Sequence, residues 1–154
     1  MMCVFAHLVR MSTVIRPSHI PAIRRFAIGD RLPVQAQRIW LILTGFIAGW
    51  PDRPRRASLT MTYGELAERM GHADRRAGHM LGRQLGIVGH YCLMNDLPAL
   101  NAIVVNQDTQ EPGGDVVLTP GRSFRDEVKA IYKTDWYAVG VPSTGTLRKV
   151  WEAS

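Results

Sequence analysis

Cysteine is scarce in this sequence. Two in 154 residues, Cys3 and Cys92, are too few for a disulfide framework, which points to a reducing, cytoplasmic setting. Long apolar runs are missing as well. None approaches the roughly 18 residues that a membrane span needs, and the opening MMCVFAHLV has neither a basic n-region nor a small-residue cleavage site. The reading is of a protein that is neither membrane-embedded nor secreted. No H-x-x-x-H or C-x-x-C spacing links His72, His79 and His90 to one another or to a cysteine, so no metal site and no cofactor is expected. Acidic charge is in the minority: 13 Asp+Glu stand against 19 Lys+Arg, for a formal net charge of +6 and a pI near 9.9. That balance favours a polyanionic partner, with plain surface solvation as the alternative.

What is present is enough apolar residue, 46%, to bury one core in a chain of single-domain size. Residues 1–32 lack a clear period. They are expected to be a flexible arm or to precede the true start, since Met1, Met2 and Met11 are each candidate initiators. Residues 33–154 are expected to form one domain. It opens with a core helix up to Gly49, where Ile39, Leu43, Phe46 and Ile47 recur at helical spacing and Trp40 and Trp50 extend the apolar face. The proline-punctuated loop that follows, Pro51 to Ser58, carries Arg53, Arg55 and Arg56, which read either as phosphate contacts or as a solvated connector.

The next stretch, MTYGELAERMG, holds an S/T-x-x-E capping box in Thr62 and Glu65, so a helix is predicted from Thr62 to about Met70 with Gly71 as its stop. Asp74 is placed to cap a second helix, along which Ala77, Leu81, Leu85, Val88 and Cys92 form a buried stripe. Gly78, Gly82, Gly86 and Gly89 interrupt that helix and imply either close packing against another backbone or a break near Gly86. Two helices around a glycine-bearing turn are the parts of a helix-turn-helix, and the exposed face of the second would carry Arg75, Arg76, His79 and Arg83. Further on, Ala102–Asn106 and Val116–Leu118 flank the polar turn QDTQEPGG and predict a small β-hairpin, the wing of a winged domain. Residues 123–133 read as an amphipathic helix, residues 135–141 as a strand, and residues 144–151 as a short terminal element. The fold class that results is α+β: a winged helix-turn-helix-like domain with an added N-terminal helix and a small β-hairpin.

The order TYGELA, RRAGHMLGR, LPALN, IVVN, EPGGDV resembles the C-terminal winged-helix domain of the O6-alkylguanine-DNA alkyltransferases and their catalytically silent alkyltransferase-like relatives, over about residues 59–133. The resemblance implies a phosphate-contacting role for Tyr63 and a base-stack-filling role for Arg76. It also sets Pro98-Ala99-Leu100-Asn101 against the family's Pro-Cys-His-Arg, so that Ala99 stands in place of the alkyl-accepting cysteine and Leu100 in place of its activating histidine. Neither residue can supply or activate a thiolate. The chain departs from the family in the residues between Gly86 and Asp96, where a short hinge is usual, and in a Gly-Gly turn without its tyrosine. The run LPALNAIVVN with its Pro-Gly turn is also similar to a group of bacterial proteins, a likeness that implies no function.

Other chemistry finds less support in the sequence. His90 lies two residues from Cys92 and so on a different side of a helix, which favours a core thiol over a nucleophile. Glu65, Glu68, Asp126 and Glu127 read as capping and surface charges, while Asp108, Glu111 and Asp115 around the hairpin loop either serve the turn or hold a divalent ion. Ser143 to Thr146, with Arg148 and Lys149 behind, has a phosphate-binding composition without a P-loop pattern and also reads as a plain loop. The expectation is a non-catalytic protein that binds double-stranded DNA through Tyr63, Arg75, Arg76, His79, Arg83, Asn101, Arg53, Arg55 and Arg56. The alternatives are a metal-dependent enzyme acting on nucleic acid and a protein-interaction module, such as an accessory factor of a mobile element.

Overall fold

Pro33 presets the backbone for the first turn of α1 (Leu32–Ala48), and the helix then buries Ala36, Ile39, Trp40, Leu43 and Ile47 along one stripe. Each of the larger of these side chains contributes about 1.5–3 kcal/mol by leaving water. The computed structural model describes residues 14–154; the methionine starts and Cys3 lie outside the described residues. Within them, residues 14–29 are exposed and carry no helix or strand. Trp40 sits at the centre of the core, edge-on to Tyr91 at 5.4 Å and to Trp136 at 5.5 Å. Packed on α1 are α3 (Gly82–Met94) and α5 (Thr144–Ala153), while α2 (Tyr63–Arg69) and α4 (Phe124–Lys133) complete the helices.

The capping box forms as the spacing predicts. Glu65 N donates to Thr62 Oγ1 at 3.2 Å and Thr62 N donates to Glu65 Oε2 at 2.8 Å, and Gly71 follows the helix with φ of 91°. The second helix differs from expectation. Asp74 Oδ1 accepts from Arg76 N at 2.9 Å, but what it caps is a 3₁₀ segment, Arg75–Met80, and α3 begins only at Gly82. The reason is packing against α2. A Cβ on Gly78 would lie 2.4 Å from the carbonyl oxygen of Tyr63, so the segment lies directly on the α2 backbone. Gly89 is a second close approach, against the Asn101 amide, whereas Gly86 has open space around it and α3 runs through it without a break.

The hairpin is also corrected. The described residues hold one sheet, of two strands, in which β1 (Met61–Thr62) and β2 (Val104–Val105) pair in parallel, Met61 with Val104 and Thr62 with Val105. Val104 and Val105 are both fully buried, as strands of a parallel pair tend to be. Beyond them Asn106 N donates to Glu111 O at 2.8 Å and Val116 N donates back to Gly113 O at 3.0 Å, so Val116–Leu118 joins no ladder. Residues 135–141 form no strand either: Asp135 Oδ1 accepts from Tyr137 N and caps a 3₁₀ turn, Trp136–Ala138, that buries Trp136. The terminal element is the full helix α5, capped by Ser143 Oγ. The architecture is α+β, mainly helical with this small parallel sheet.

Glu127 is the largest departure in charge placement. Predicted as a surface residue of α4, it is fully buried, because Ala99 N and Thr119 Oγ1 both donate to its Oε1, at 2.6 and 2.7 Å, and Arg122 stands 3.6 Å from Oε2. The α4 face that carries Val128 and Ile131 inward therefore also carries a carboxylate.

Candidate nucleic-acid interface

β1 ends where α2 begins, and the 3₁₀ segment packs across the start of α2, so three short elements meet around Tyr63. The result is a cleft of about 190 Å³ lined by Thr62, Tyr63, Gly64, Arg75, Arg76, His79, Asn106 and Gln107. Tyr63 forms its wall. The ring is half-buried and its hydroxyl accepts from Gly113 N at 3.1 Å, which ties the 106–115 loop to α2. Burial raises the Tyr63 pKa, the Gly113 bond works against that, and the Asp115 carboxylate adds to it.

The rim is basic. Arg76 is 88% exposed by its side chain and pairs with Asp74 at 3.0 Å, an arrangement that holds the Asp74 carboxyl below its ordinary pKa. Arg75 reaches Glu68 at 3.4 Å across the surface of α2 and lies over Gly64, where a Cβ would come within 3.1 Å of its Nε. His79 is exposed beside them. Exposed pairs of this kind are worth about 0–1 kcal/mol, so a phosphate that offers a bidentate contact competes with Asp74 or Glu68 at little loss. Gly64 belongs to the cleft although no motif singles it out; the signal is a glycine in the first turn of a capped helix, where ordinary propensity disfavours it.

The other predicted contacts separate from this cleft. Arg83 is exposed on the first turn of α3 and does not line it. Arg55 and Arg56 are exposed in the Pro51–Ser58 loop. Arg53, from the same loop, turns inward: its guanidinium stacks 3.8 Å from the Phe46 ring centroid and 4.8 Å from that of Trp50, and it donates to Tyr132 Oη at 3.0 Å. A cation held over two rings and a phenol is a packing element, not a free phosphate contact. Asn101 is only 4% exposed, pressed against Gly89, so it too is withdrawn from any ligand on the surface.

Ala99 is fully buried with its amide held by Glu127, and the Cys92 thiol is pushed up to about 12, chiefly by burial, which keeps it protonated at neutral pH. Among the described residues no group of three or more His, Cys, Asp or Glu is placed to hold a metal ion, and this includes Asp108, Glu111 and Asp115. Comparison with protein-family models, with curated proteins and with solved structures finds no match to this chain.

Proposed function

We propose that this protein is a non-catalytic DNA-binding protein, with α2, the 3₁₀ segment and α3 in the role of a helix-turn-helix and the 106–115 loop in the role of a wing. The observation that carries the reading is the Tyr63 cleft, a concavity lined by Arg75, Arg76 and His79 together with Tyr63, Asn106 and Gln107. Guanidinium forks suit phosphate oxygens, and amide side chains suit base edges. The alkyltransferase-like resemblance falls on the same residues, Tyr63 and Arg76, and the alanine at position 99 agrees with binding without alkyl transfer.

The test is fluorescence anisotropy with a labelled duplex at two salt concentrations, with and without a single O6-methylguanine. Salt-sensitive binding that weakens in the Arg75→Gln/Arg76→Gln double variant is the expected result. Tighter binding to the modified duplex assigns a lesion-sensing role, and equal binding assigns a general one. Full retention of affinity by the double variant overturns the cleft as the interface.

A second reading, a protein-interaction module, draws on one observation. An apolar groove of about 530 Å³ runs between α1 and the 132–141 segment, with Leu41 on one lip and the 89% exposed Tyr137 on the other. Absence of duplex binding at low salt would bring this reading forward.

A further inference from the structure

The run from Ser143 to Thr146 opens α5, and in the folded chain it meets the start of α1. Gln37 Nε2 donates to Pro142 O at 3.1 Å and fastens the two helix starts side by side. Between them is a cavity of about 420 Å³ whose charged lining consists of Arg24, Arg31 and Arg148, with Thr144 and Gly145 also lining it. Among the described residues no acidic side chain lines it. Asp30 stands 3.9 Å from Arg24 and Glu152 stands 3.6 Å from Arg148, both outside the cavity, and Arg31 has neither an ion pair nor a side-chain hydrogen bond among the described residues.

We propose that this pocket is an anion site for a phosphate group, separate from the Tyr63 cleft and valid whether or not that cleft binds DNA. Three guanidinium groups line one concavity, two of them with a carboxylate partner outside it and Arg31 with none among the described residues, and an anion placed among them gains charge-assisted hydrogen bonds to Arg31 and to the donors its neighbours leave free. Two helix starts add to the field. The first turn of α1 has no side-chain cap, although Pro33 there carries no N–H, and the first turn of α5 presents Thr144 and Gly145. The volume exceeds that of a single phosphate and admits a diphosphate or one stretch of phosphodiester backbone. The shared chemistry is the phosphate oxygen, and the two sources are separated by experiment.

Full-length protein is titrated at low salt with inorganic pyrophosphate, by calorimetry, and with a short labelled duplex, by anisotropy. The variants are Arg31→Gln, Arg148→Gln, Arg148→Lys and the cleft double variant Arg75→Gln/Arg76→Gln. Arg31 and Arg148 are exposed, and a thermal melt verifies that each variant folds. Loss of either guanidinium is expected to weaken pyrophosphate about tenfold, with Arg148→Lys, which keeps the charge without the fork, losing less and the cleft variant retaining all of the affinity. Weakened duplex binding with no pyrophosphate binding at all assigns the pocket to phosphodiester backbone. Unchanged affinity for both probes in Arg31→Gln and Arg148→Gln, including no binding of either, overturns the proposal; an effect of the cleft variant on the duplex alone concerns the cleft and leaves this pocket's result intact.

Discussion

Gly78→Ala tests the contact on which the candidate interface depends. The new Cβ would stand 2.4 Å from the Tyr63 carbonyl oxygen, 2.5 Å from its carbonyl carbon and 2.9 Å from its Cβ. Two of those three atoms are backbone, within a helix tied down by its capping box, so the 3₁₀ segment has to move away by most of an ångström. Overpacking of this kind costs about 1–3 kcal/mol, and the upper part of the range applies because no flexible side-chain end can yield. Removing a glycine returns up to about 1 kcal/mol through the unfolded state, which leaves a net loss near 2 kcal/mol. At this chain length that lowers Tm by about 4–8 °C. Gly86→Ala is the matched control: it lies within α3, its Cβ would meet nothing within 4 Å, and a gain of about 0.5–1 kcal/mol is expected. Urea unfolding with a common m-value measures both. Equal stability of the two variants would refute the close approach and with it the stated reason why α3 starts late.

Three further outcomes follow from buried groups. Burial raises the pKa of Tyr63 and of Tyr132, the latter with Arg53 acting against it, so absorbance titration should show two phenols ionising above the ordinary value of 10.0. Since the folded pKa is the higher one, the associated stability is complete below pH 10 and declines as pH rises through the folded values; ionisation of Tyr63 and Tyr132 at or below the ordinary value would contradict this. Glu127→Ala leaves the Ala99 amide without its partner and Arg122 without its carboxylate, for a loss of about 2–3 kcal/mol in chemical denaturation, and Glu127→Gln, which keeps an acceptor, should lose less. Cys92 should resist alkylation at neutral pH until the protein unfolds, as read by peptide mass mapping that resolves it from Cys3; rapid labelling of the native protein would show that its burial is wrong.

The parts of the fold that were legible in the sequence are those set by neighbours in the chain. Thr62 and Glu65 are three apart, Ile39 and Leu43 four apart, and both pairs behave as their spacing requires. What was not legible depends on contacts between distant segments. Val104 and Val105 have the composition of a hairpin strand, but their partners are Met61 and Thr62, more than forty residues earlier, and β-propensity carries no information about partner or direction. Asp74 signals a helix start, yet whether an α-helix or a 3₁₀ turn follows is decided by the Tyr63 backbone against Gly78. Glu127 reads as exposed on an amphipathic helix until Ala99 N and Thr119 Oγ1 supply the bonds that make its burial tolerable.

The same limit governs the arginines. A net charge of +6 says that cations exceed anions, not which cations are free to meet a ligand. Arg53 and Arg55 are two residues apart in one loop, but Arg53 is held over Phe46 and Trp50 while Arg55 is exposed. Arg76 is exposed and paired within its own turn to Asp74, and the Arg76 side-chain bond holds that carboxyl below its ordinary pKa. A phosphate arriving at the Tyr63 cleft therefore has to displace a local anion, whereas one arriving between α1 and α5 meets Arg31 with none to displace. Screening by salt weakens both encounters, but the exchange at Arg76 sets one ion pair against another, and the capture at Arg31 forms a new one. The two basic sites therefore differ in one cation: Arg24 and Arg148 of the pocket also have carboxylate partners, at 3.9 and 3.6 Å, and Arg31 is the one that a small phosphate anion meets unpaired among the described residues.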